Sequence, residues 1–361
     1  MPYNLAMNQL TLALPFALPP PELAPDLIRA MQTPALAALL SRYTKYQHFT
    51  FDSTFRVLPH EAWLAHAAGQ TCAPGLGQAD ASVASAVMRG YGLAQSEGYW
   101  LLLQPVHIQI SRNHLLMSDP RQLELSDAHA RALFDSAKPY FDEIGLTLLY
   151  GDAGTWFLRA DDWTSLQTAT PDAAIGLNLS DAMPLGESAR ACRKLQNEVQ
   201  MLWYEHPANA ERLARGQAEV NSIWIWGGAP ATASAAAGSA AGTGNVGGGP
   251  LSIGAAPPWM AALAEPARRA PDVRQAIADG GTVLLGELIP NGLAGDWGAW
   301  LAQMQALEQH WFAPLLAALK DGSLGRLTLT LSHRNGWHEV SCTKNALRAF
   351  WRKHNLNKLL T

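Results

Sequence analysis

The sequence of 361 residues is poor in cysteine and in charge. Its three cysteines, Cys72, Cys192 and Cys342, are far apart, so no CxxC pair supports a zinc knuckle or a disulfide framework. Charged residues make up 16% of the chain, and the net charge of −4 comes without a block of Lys and Arg. Because nucleic-acid-binding domains carry clustered cations, the sequence predicts no nucleic-acid partner.

Long apolar runs are also missing. None approaches the roughly 20 residues that a transmembrane helix needs, so no membrane association is predicted. The N-terminal run "LTLALPFAL" has no basic segment before it, and prolines interrupt and follow it, unlike a secretory signal peptide. It is predicted to be a buried strand. Together with three isolated thiols, these absences predict a cytoplasmic protein.

What is present is a high share of hydrophobic residues, 48%, which is typical of a well-buried globular protein. Strand and helix patterns alternate in the last third, which favours an α/β layer. Residues 95–165 instead indicate hairpins around one helix. The sequence therefore predicts an α/β core formed by residues 1–94 and 166–361, with an inserted antiparallel α+β subdomain at 95–165. The Gly/Ala/Ser-rich segment 227–250 is predicted to be a flexible surface loop.

One stretch, "NEVQMLWYEHPANAERLARGQAEVNSIWIWGG" (residues 197–228), concentrates the polar residues of interest. Pro207 is favourable at the first position of a helix, which makes His206 the capping residue. Asn209 and Arg212 then lie one turn apart on the same side of that helix. The free N–H groups of the first turn, a bidentate Arg212, an imidazole donor and Asn221 at the rim would suit a phosphate or carboxylate.

A structural interpretation of the same residues is equally open. His206 could serve only as the cap, and Asn209 could bond a loop carbonyl. Arg212 could pair with Glu205 or Glu219 at the surface.

The segments on both sides of this motif are predicted to be buried. Ala191, Leu195, Val199 and Leu202 form one stripe of the preceding helix, which should pack by that face. The strand "NSIWIWGG" is an unbroken apolar run, which is typical of a strand covered on both faces.

Two histidines, His107 and His114, flank a predicted turn and could approach each other. A metal site there would need a further ligand, and nothing in the sequence fixes Asp119 in that position. We therefore predict no metal site and no cofactor.

Nucleophilic catalysis has little support. No GxSxG motif is present for a serine hydrolase. Cys192 lies beside the helix stripe and Cys342 near a strand end, so both are predicted to be buried, unreactive thiols.

The motif also carries a family resemblance. The pattern N-E-x-Q-M, H-P-x-N-x-x-R-x-x-G and x-N-x-[IL]-W-x-W-G resembles that of RpfE-type regulatory proteins of proteobacteria and, more distantly, of archaeal-type cofactor-independent phosphoglycerate mutase. It is met by Asn197, Glu198, Gln200, Met201, His206, Pro207, Asn209, Arg212, Gly216, Asn221, Trp224, Trp226 and Gly227. Similarity to the regulatory group extends to "LTLALPFALP", "GYWLLLQPVHIQISRNHLLMSDP", "TWFLRA" and "LRAFWRK".

The mutase resemblance implies a doubly wound, mostly parallel α/β sheet with inserted domains. It also implies two divalent metals held by Asp and His, with a Ser nucleophile. The sequence departs from that chemistry. "LALPFALP" offers no Asp after the first strand, and "LTLTLSHRNG" offers Ser332 and His333 where an Asp-His pair is implied. No Ser nucleophile is evident.

The combined hypothesis is a non-catalytic regulatory relative that lacks the two-metal centre. It would keep a pocket for a small phosphorylated or carboxylate ligand, or a surface for a regulatory protein partner. Ligand-binding residues are predicted to be His206, Asn209, Arg212, Asn221, Asn197 and His107. The alternatives are a metal-dependent phosphoglycerate mutase or related phosphotransferase, and a protein-interaction module without a ligand.

Overall fold

The chain divides into two compact units. A computed structural model describes residues 8–51, 56–70, 81–111, 114–231, 249–349 and 351–360. Unit 1 comprises residues 1–55, 59–69 and 244–361, and unit 2 comprises residues 56–58 and 70–243. The segment 95–165, predicted as an insertion, lies in unit 2 together with both of its flanks.

The described residues form twelve strands and fourteen helices. The strands are β1 (Gln9–Leu14), β2 (Lys45–Thr50), β3 (Tyr99–Val106), β4 (Ile108–Ser111), β5 (His114–Met117), β6 (Thr147–Asp152), β7 (Thr155–Arg159), β8 (Ser222–Pro230), β9 (Leu251–Gly254), β10 (Gly281–Leu285), β11 (Arg326–His333) and β12 (Gly336–Thr343). The helices are α1 (Ala24–Ala30), α2 (Pro34–Ser41), α3 (Pro59–Ala67), α4 (Ala84–Gly90), α5 (Asp127–Glu143), α6 (Pro171–Ala174), α7 (Leu179–Ala182), α8 (Ala189–Trp203), α9 (Pro207–Ala214), α10 (Pro258–Ala261), α11 (Val273–Asp279), α12 (Ile289–Ala294), α13 (Trp297–Leu307) and α14 (Ala313–Asp321).

Unit 1 is built on a six-stranded, mostly parallel sheet with the order β2-β12-β11-β1-β10-β9. β1 pairs in parallel with β10 and β11, and β9 pairs in parallel with β10. β12 runs antiparallel to β11 and β2. Five of the six residues of β1 are buried, because a central parallel strand is covered on both faces. The predicted buried strand at the N-terminus is therefore confirmed.

Unit 2 contains an antiparallel sheet with the order β6-β7-β3-β8 and a separate hairpin of β4 and β5. The first six residues of β8 are buried, as predicted for the Trp-rich strand. Residues 227–230, predicted to start a flexible loop, instead continue β8 and pair with β3. Residues 232–248 of that predicted loop lie outside the described part of the chain.

The packing face of α8 differs from the predicted stripe. Leu195 and Val199 are buried as expected, but Leu202 is 41% exposed and Ala191 is also exposed. The buried face is completed by Cys192 and Trp203. Compared with the predicted stripe, the buried face is therefore rotated around the helix axis toward the side that carries the Trp203 indole. Among the described helices, none has the length and apolarity needed to cross a bilayer.

Candidate functional site

The motif of residues 197–228 places α9 between two turns that its own residues fix. His206 caps the helix: its Nδ1 accepts a hydrogen bond from the Ala208 N–H at 3.2 Å, and Pro207 follows as the first helical residue. The predicted cap is confirmed. At the other end Gly216 adopts a φ of 73°, which a side chain would disfavour. The N–H of the next residue, Gln217, donates to the Arg212 carbonyl at 2.9 Å and closes the helix.

Asn209 is used almost entirely by the backbone. The residue is 1% exposed. Its Nδ2 donates to the carbonyl oxygens of Trp203 and Val220, both at 2.9 Å, and its Oδ1 accepts from the Val220 N–H at 2.8 Å. The side chain therefore ties the end of α8 to the segment that enters β8, which satisfies three buried backbone groups that no regular element pairs.

Arg212 is fully buried and also bonds backbone carbonyls. Its Nε donates to the Ala218 carbonyl at 2.8 Å, and its Nη2 donates to the Leu123 carbonyl. The predicted surface pairing with Glu205 or Glu219 is absent from the ion pairs of the described residues. Burial lowers the pKa of the guanidinium, and the nearby charge of Glu124 opposes that shift.

The remaining predicted residues have separate positions. Asn221 pairs with both backbone groups of Ile108, at 2.8 and 2.9 Å, and so attaches β4 to the start of β8. His107 Nδ1 lies 2.9 Å from the Glu219 carbonyl. Asn197 is exposed on α8. The structure therefore brings most of the motif together around backbone groups rather than around an open cleft.

Two groups in the motif keep unused hydrogen-bonding capacity. Arg212 Nη1 is buried and has no partner among the described residues. His206 is half-buried, and because its Nδ1 accepts, a neutral ring carries its proton on Nε2, which is free to donate. The ligand-binding assignment for these residues stays a prediction.

A buried charge network nearby was missed by the sequence reasoning. Arg121 binds Asp172 in a bidentate pair at 2.9 and 3.0 Å, and its Nε contacts Asp119. These two carboxylates raise the pKa of Arg121, while burial acts against them. Asp119, considered above as an added metal ligand, is therefore engaged by an arginine. Asp172 lies 51 positions from Arg121, so no local spacing could have signalled the pair.

The second candidate region is the edge of the unit 1 sheet at which its parallel strands end, where α/β proteins commonly bind ligands. A cavity of about 10 Å³, room for about one water molecule, lies at the ends of β1 and β11. Its walls come from β1 and the residue after it, from α3, from β11 and from β12. The lining residues are Ala13, Leu14, Pro15, Pro59, His60, Trp63, Thr330, Ser332 and Trp337.

Three neutral polar side chains in these walls have atoms without a hydrogen-bond partner among the described residues. Trp63 Nε1, Thr330 Oγ1 and Ser332 Oγ are buried without a hydrogen bond to any residue that the structure describes. Each of the three residues is at most 4% exposed. An indole N–H and two hydroxyls can bind a neutral group or a water, but they offer no formal charge to balance a cation.

Comparison with known proteins gives distant relatives. No protein family model matches the chain. This chain is 25% identical over 126 residues to a probable 2,3-bisphosphoglycerate-independent phosphoglycerate mutase of Geobacter sulfurreducens. The aligned stretch covers 34% of this chain and 31% of that protein. Over 61 residues it is 34% identical to the corresponding mutase of Methanothrix thermoacetophila, covering 17% and 16% of the two chains. The matched stretches thus span about a third or less of these curated relatives.

Two solved structures resemble the whole chain. The PH0037 protein of Pyrococcus horikoshii aligns with a TM-score of 0.54 at 10% identity, covering 98% of this chain and 92% of that one. A cofactor-independent phosphoglycerate mutase of Thermoplasma acidophilum aligns with a TM-score of 0.45 at 12% identity, covering 98% and 94%. This chain is distantly similar to cofactor-independent phosphoglycerate mutase. The resemblance to RpfE-type regulatory proteins stays a prediction.

The ends of two strands in unit 1 lack the carboxylates that the mutase resemblance implies. β1 is followed by Pro15 and β11 ends at His333, without a carboxylate at either place. Glu287 follows β10, and burial raises the pKa of its carboxyl group. His60 and Glu61 are buried neighbours with ligand atoms within 4.8 Å.

Proposed function

We propose that this chain is a non-catalytic relative of cofactor-independent phosphoglycerate mutase that acts in regulation, by binding rather than by turnover. One observation carries the proposal. The edge of the sheet that would hold the metals in the mutase resemblance is lined here by apolar side chains, hydroxyls, indoles and the imidazole of His60, with no carboxylate among the lining residues. In-line phosphoryl transfer between two metals needs several carboxylates to hold the ions, and neither β1 nor β11 ends at one.

The ligand part of the proposal concerns the motif in unit 2. A small phosphorylated or carboxylate ligand would contact His206 Nε2 and the unpartnered Nη1 of Arg212. The guanidinium has no ion pair among the described residues, so an anion at its unpartnered Nη1 would add to the opposing charge of Glu124. Because Arg212 is fully buried, such a ligand would have to open the turn after α9 to reach it.

Turnover is tested by metal analysis together with a phosphoglycerate mutase assay in Mn²⁺ and in Co²⁺. We expect no stoichiometric metal and no turnover above a blank. Stoichiometric metal with turnover would overturn the proposal in favour of a metal-dependent mutase. The adjacent His60 and Glu61 are the observation that favours this alternative, so loss of both signals in Glu61→Gln would assign it to them.

Ligand binding is tested by thermal shift with 3-phosphoglycerate, phosphate and sulfate at millimolar concentration. A ligand that binds the native state alone raises the melting temperature by mass action. The matched variant is His206→Asn, because asparagine keeps the helix cap but removes the imidazole donor. We expect a shift in the wild-type protein that is reduced in the variant. No shift, or the same shift in both, would remove the anion pocket from the proposal.

A further inference from the structure

A surface of unit 1 collects cations from three separate parts of the chain. We name it the basic surface and define it by Arg42, Lys320, Arg348, Arg352, Lys353 and Lys358. Residues 340–361 contain five Lys and Arg residues and no Asp or Glu. Arg42 and Lys320 join this segment through the fold: both lie close enough to His354 that their charges lower its pKa, after burial as the larger cause.

Three cations of the basic surface are held in place by backbone and aromatic contacts. Arg42 Nη1 donates to the Leu347 carbonyl at 3.0 Å, and Arg352 Nη1 donates to the Tyr43 carbonyl at 3.1 Å. The Arg352 guanidinium also lies 5.0 Å from the centre of the Tyr43 ring. The Lys358 ammonium lies 3.7 Å from the centre of the Tyr46 ring. These contacts orient the charges without neutralising them.

No carboxylate neutralises them either. Among the ion pairs of the described residues, none includes a member of the basic surface. The nearby acid, Asp321, interacts with Lys344 at its edge. Unit 1 carries 14 Lys and Arg against 12 Asp and Glu, a net charge of +2, whereas unit 2 carries 12 against 18, a net charge of −6. Unit 1 is therefore net positive although the whole chain is net negative.

An exposed aromatic side chain lies within the same segment. Trp351 is 71% exposed and stands between Arg348 and Arg352 in the chain. Trp, Tyr and Arg are the residues that most often dominate binding energy at protein interfaces. An unpaired set of cations around an exposed indole is thus typical of a protein-binding surface.

We propose that the basic surface binds an acidic segment of a partner protein, with Trp351 as its apolar contact. Cations drawn from three parts of the chain match the spaced carboxylates of an extended peptide, whereas a small anion needs donors that converge on one point. The net charge of −4 gives the whole chain no long-range attraction for nucleic acid. This inference is independent of whether the protein turns over phosphoglycerate.

The test uses the full chain and three labelled probes of about ten units: a Glu-rich peptide containing one Leu, a Lys-rich peptide and a single-stranded oligonucleotide. We expect the acidic peptide to bind, with an affinity that falls steeply as salt is raised, because exposed charges are screened. Arg348→Glu with Lys353→Glu should weaken binding at least about tenfold. Trp351→Ala should also weaken it, and Trp351→Phe should restore most of it.

The matched control is Arg190→Glu with Lys194→Glu, an equal charge change at exposed positions of α8 in unit 2. It should leave the affinity within about twofold of wild type. Equal weakening in both double variants would overturn the proposal, as would no binding of the acidic peptide. Tighter binding of the oligonucleotide would assign the surface to nucleic acid. Self-association by sedimentation that only the Arg348/Lys353 variant loses would assign it to a second copy of this chain.

Discussion

The α9 motif of unit 2 and the strand-end cavity of unit 1 use their polar groups in opposite ways. In the motif, Asn209 and Arg212 donate to the carbonyls of Val220 and Ala218, which no strand or helix pairs. In the cavity, the hydroxyl groups of Thr330 and Ser332 have no hydrogen-bond partner among the described residues. Polar residues that recur in a sequence pattern can therefore be required by the backbone, whereas polar groups available to a ligand can lie where the sequence is mostly apolar.

The difference follows from local backbone geometry. In the irregular segment after α9, the carbonyls of Ala218 and Val220 are paired by side chains rather than by a strand or helix. Buried carbonyls without partners destabilise a fold, and long polar side chains are the means of reaching them. The cavity in unit 1 is bounded by strands whose backbone groups are already paired in the sheet, so its side chains have no such role.

The largest effect is expected for Arg212→Leu. The change leaves the Ala218 and Leu123 carbonyls buried without donors, which should lower the free energy of unfolding by roughly 2–4 kcal/mol. Urea unfolding measures it, with the exposed neighbour Arg215→Leu as the control that should change stability little. If Arg212→Leu is as stable as the wild type, the side chain is held for a ligand, and the contrast between the two regions fails.

Asn209→Ala should follow, with a loss of roughly 2–3 kcal/mol in the same unfolding measurement. The substitution removes the partners of both Val220 backbone groups and one of the two donors to the Trp203 carbonyl, which keeps the His206 N–H. Asn197→Ala, in the same motif but exposed, is the matched control and should stay near wild type. Similar losses in both variants would point to a general defect of the motif rather than to these three bonds.

His206 should show an effect of about 1 kcal/mol that depends on capping alone. His206→Ala removes the acceptor for the Ala208 N–H and should destabilise by about 0.5–1 kcal/mol. His206→Asn restores an acceptor and should recover most of that loss. If His206→Asn is no more stable than His206→Ala, helix capping is not the contribution of this imidazole.

Thr330→Val should change stability by less than about 1 kcal/mol, and toward stabilisation. Replacing a buried hydroxyl that has no partner by a methyl group of similar shape removes a desolvation cost. Clear destabilisation in urea would reveal a partner for this hydroxyl, such as a bound water or ligand, and would sharpen the search for a ligand at the unit 1 edge.

The pH dependence should report on the imidazole that follows Ser332. Burial lowers the pKa of His333 to about 4, with added repulsion from His338 and His48. An unfolded His titrates near 6.5, so the unfolded chain takes up the proton first. The stability that this group contributes is complete above about pH 6.5 and is lost as the pH falls through about 4. As the pH is lowered between those values, the His333→Gln variant should therefore lose less stability than the wild type. Urea midpoints that fall equally with pH in both proteins would contradict this.

Local rules were enough for the parts of the fold that depend on neighbouring residues. The cap at His206, the hairpin after His107 and the buried strand at the N-terminus were all predicted from short patterns and are confirmed. Each depends on backbone preferences within a few residues, such as proline at a helix start.

The side-chain partners could not be predicted in the same way. Arg212 bonds the carbonyl of Leu123, which lies 89 positions away, and the cavity of unit 1 joins residues 13–15 to residues 330–337. Helical spacing placed Asn209 and Arg212 on one face of α9, but it could not say whether that face meets solvent or loops from elsewhere. Charge was only partly informative: the excess of cations in residues 340–361 is visible in the sequence, but their proximity to Arg42 and Lys320 depends on the fold.

The position of β1 has a consequence for biosynthesis. Leu10 lies between Gly281 and Leu327, so this strand meets both of its neighbours only after the last third of the polypeptide has left the ribosome. Residues 70–243 emerge earlier and contain all the strands of their own sheet. Until then, an apolar strand with two unpaired edges is exposed on the nascent chain, which is a recognised route to misassembly. Chaperone dependence should accordingly concentrate on the first strand.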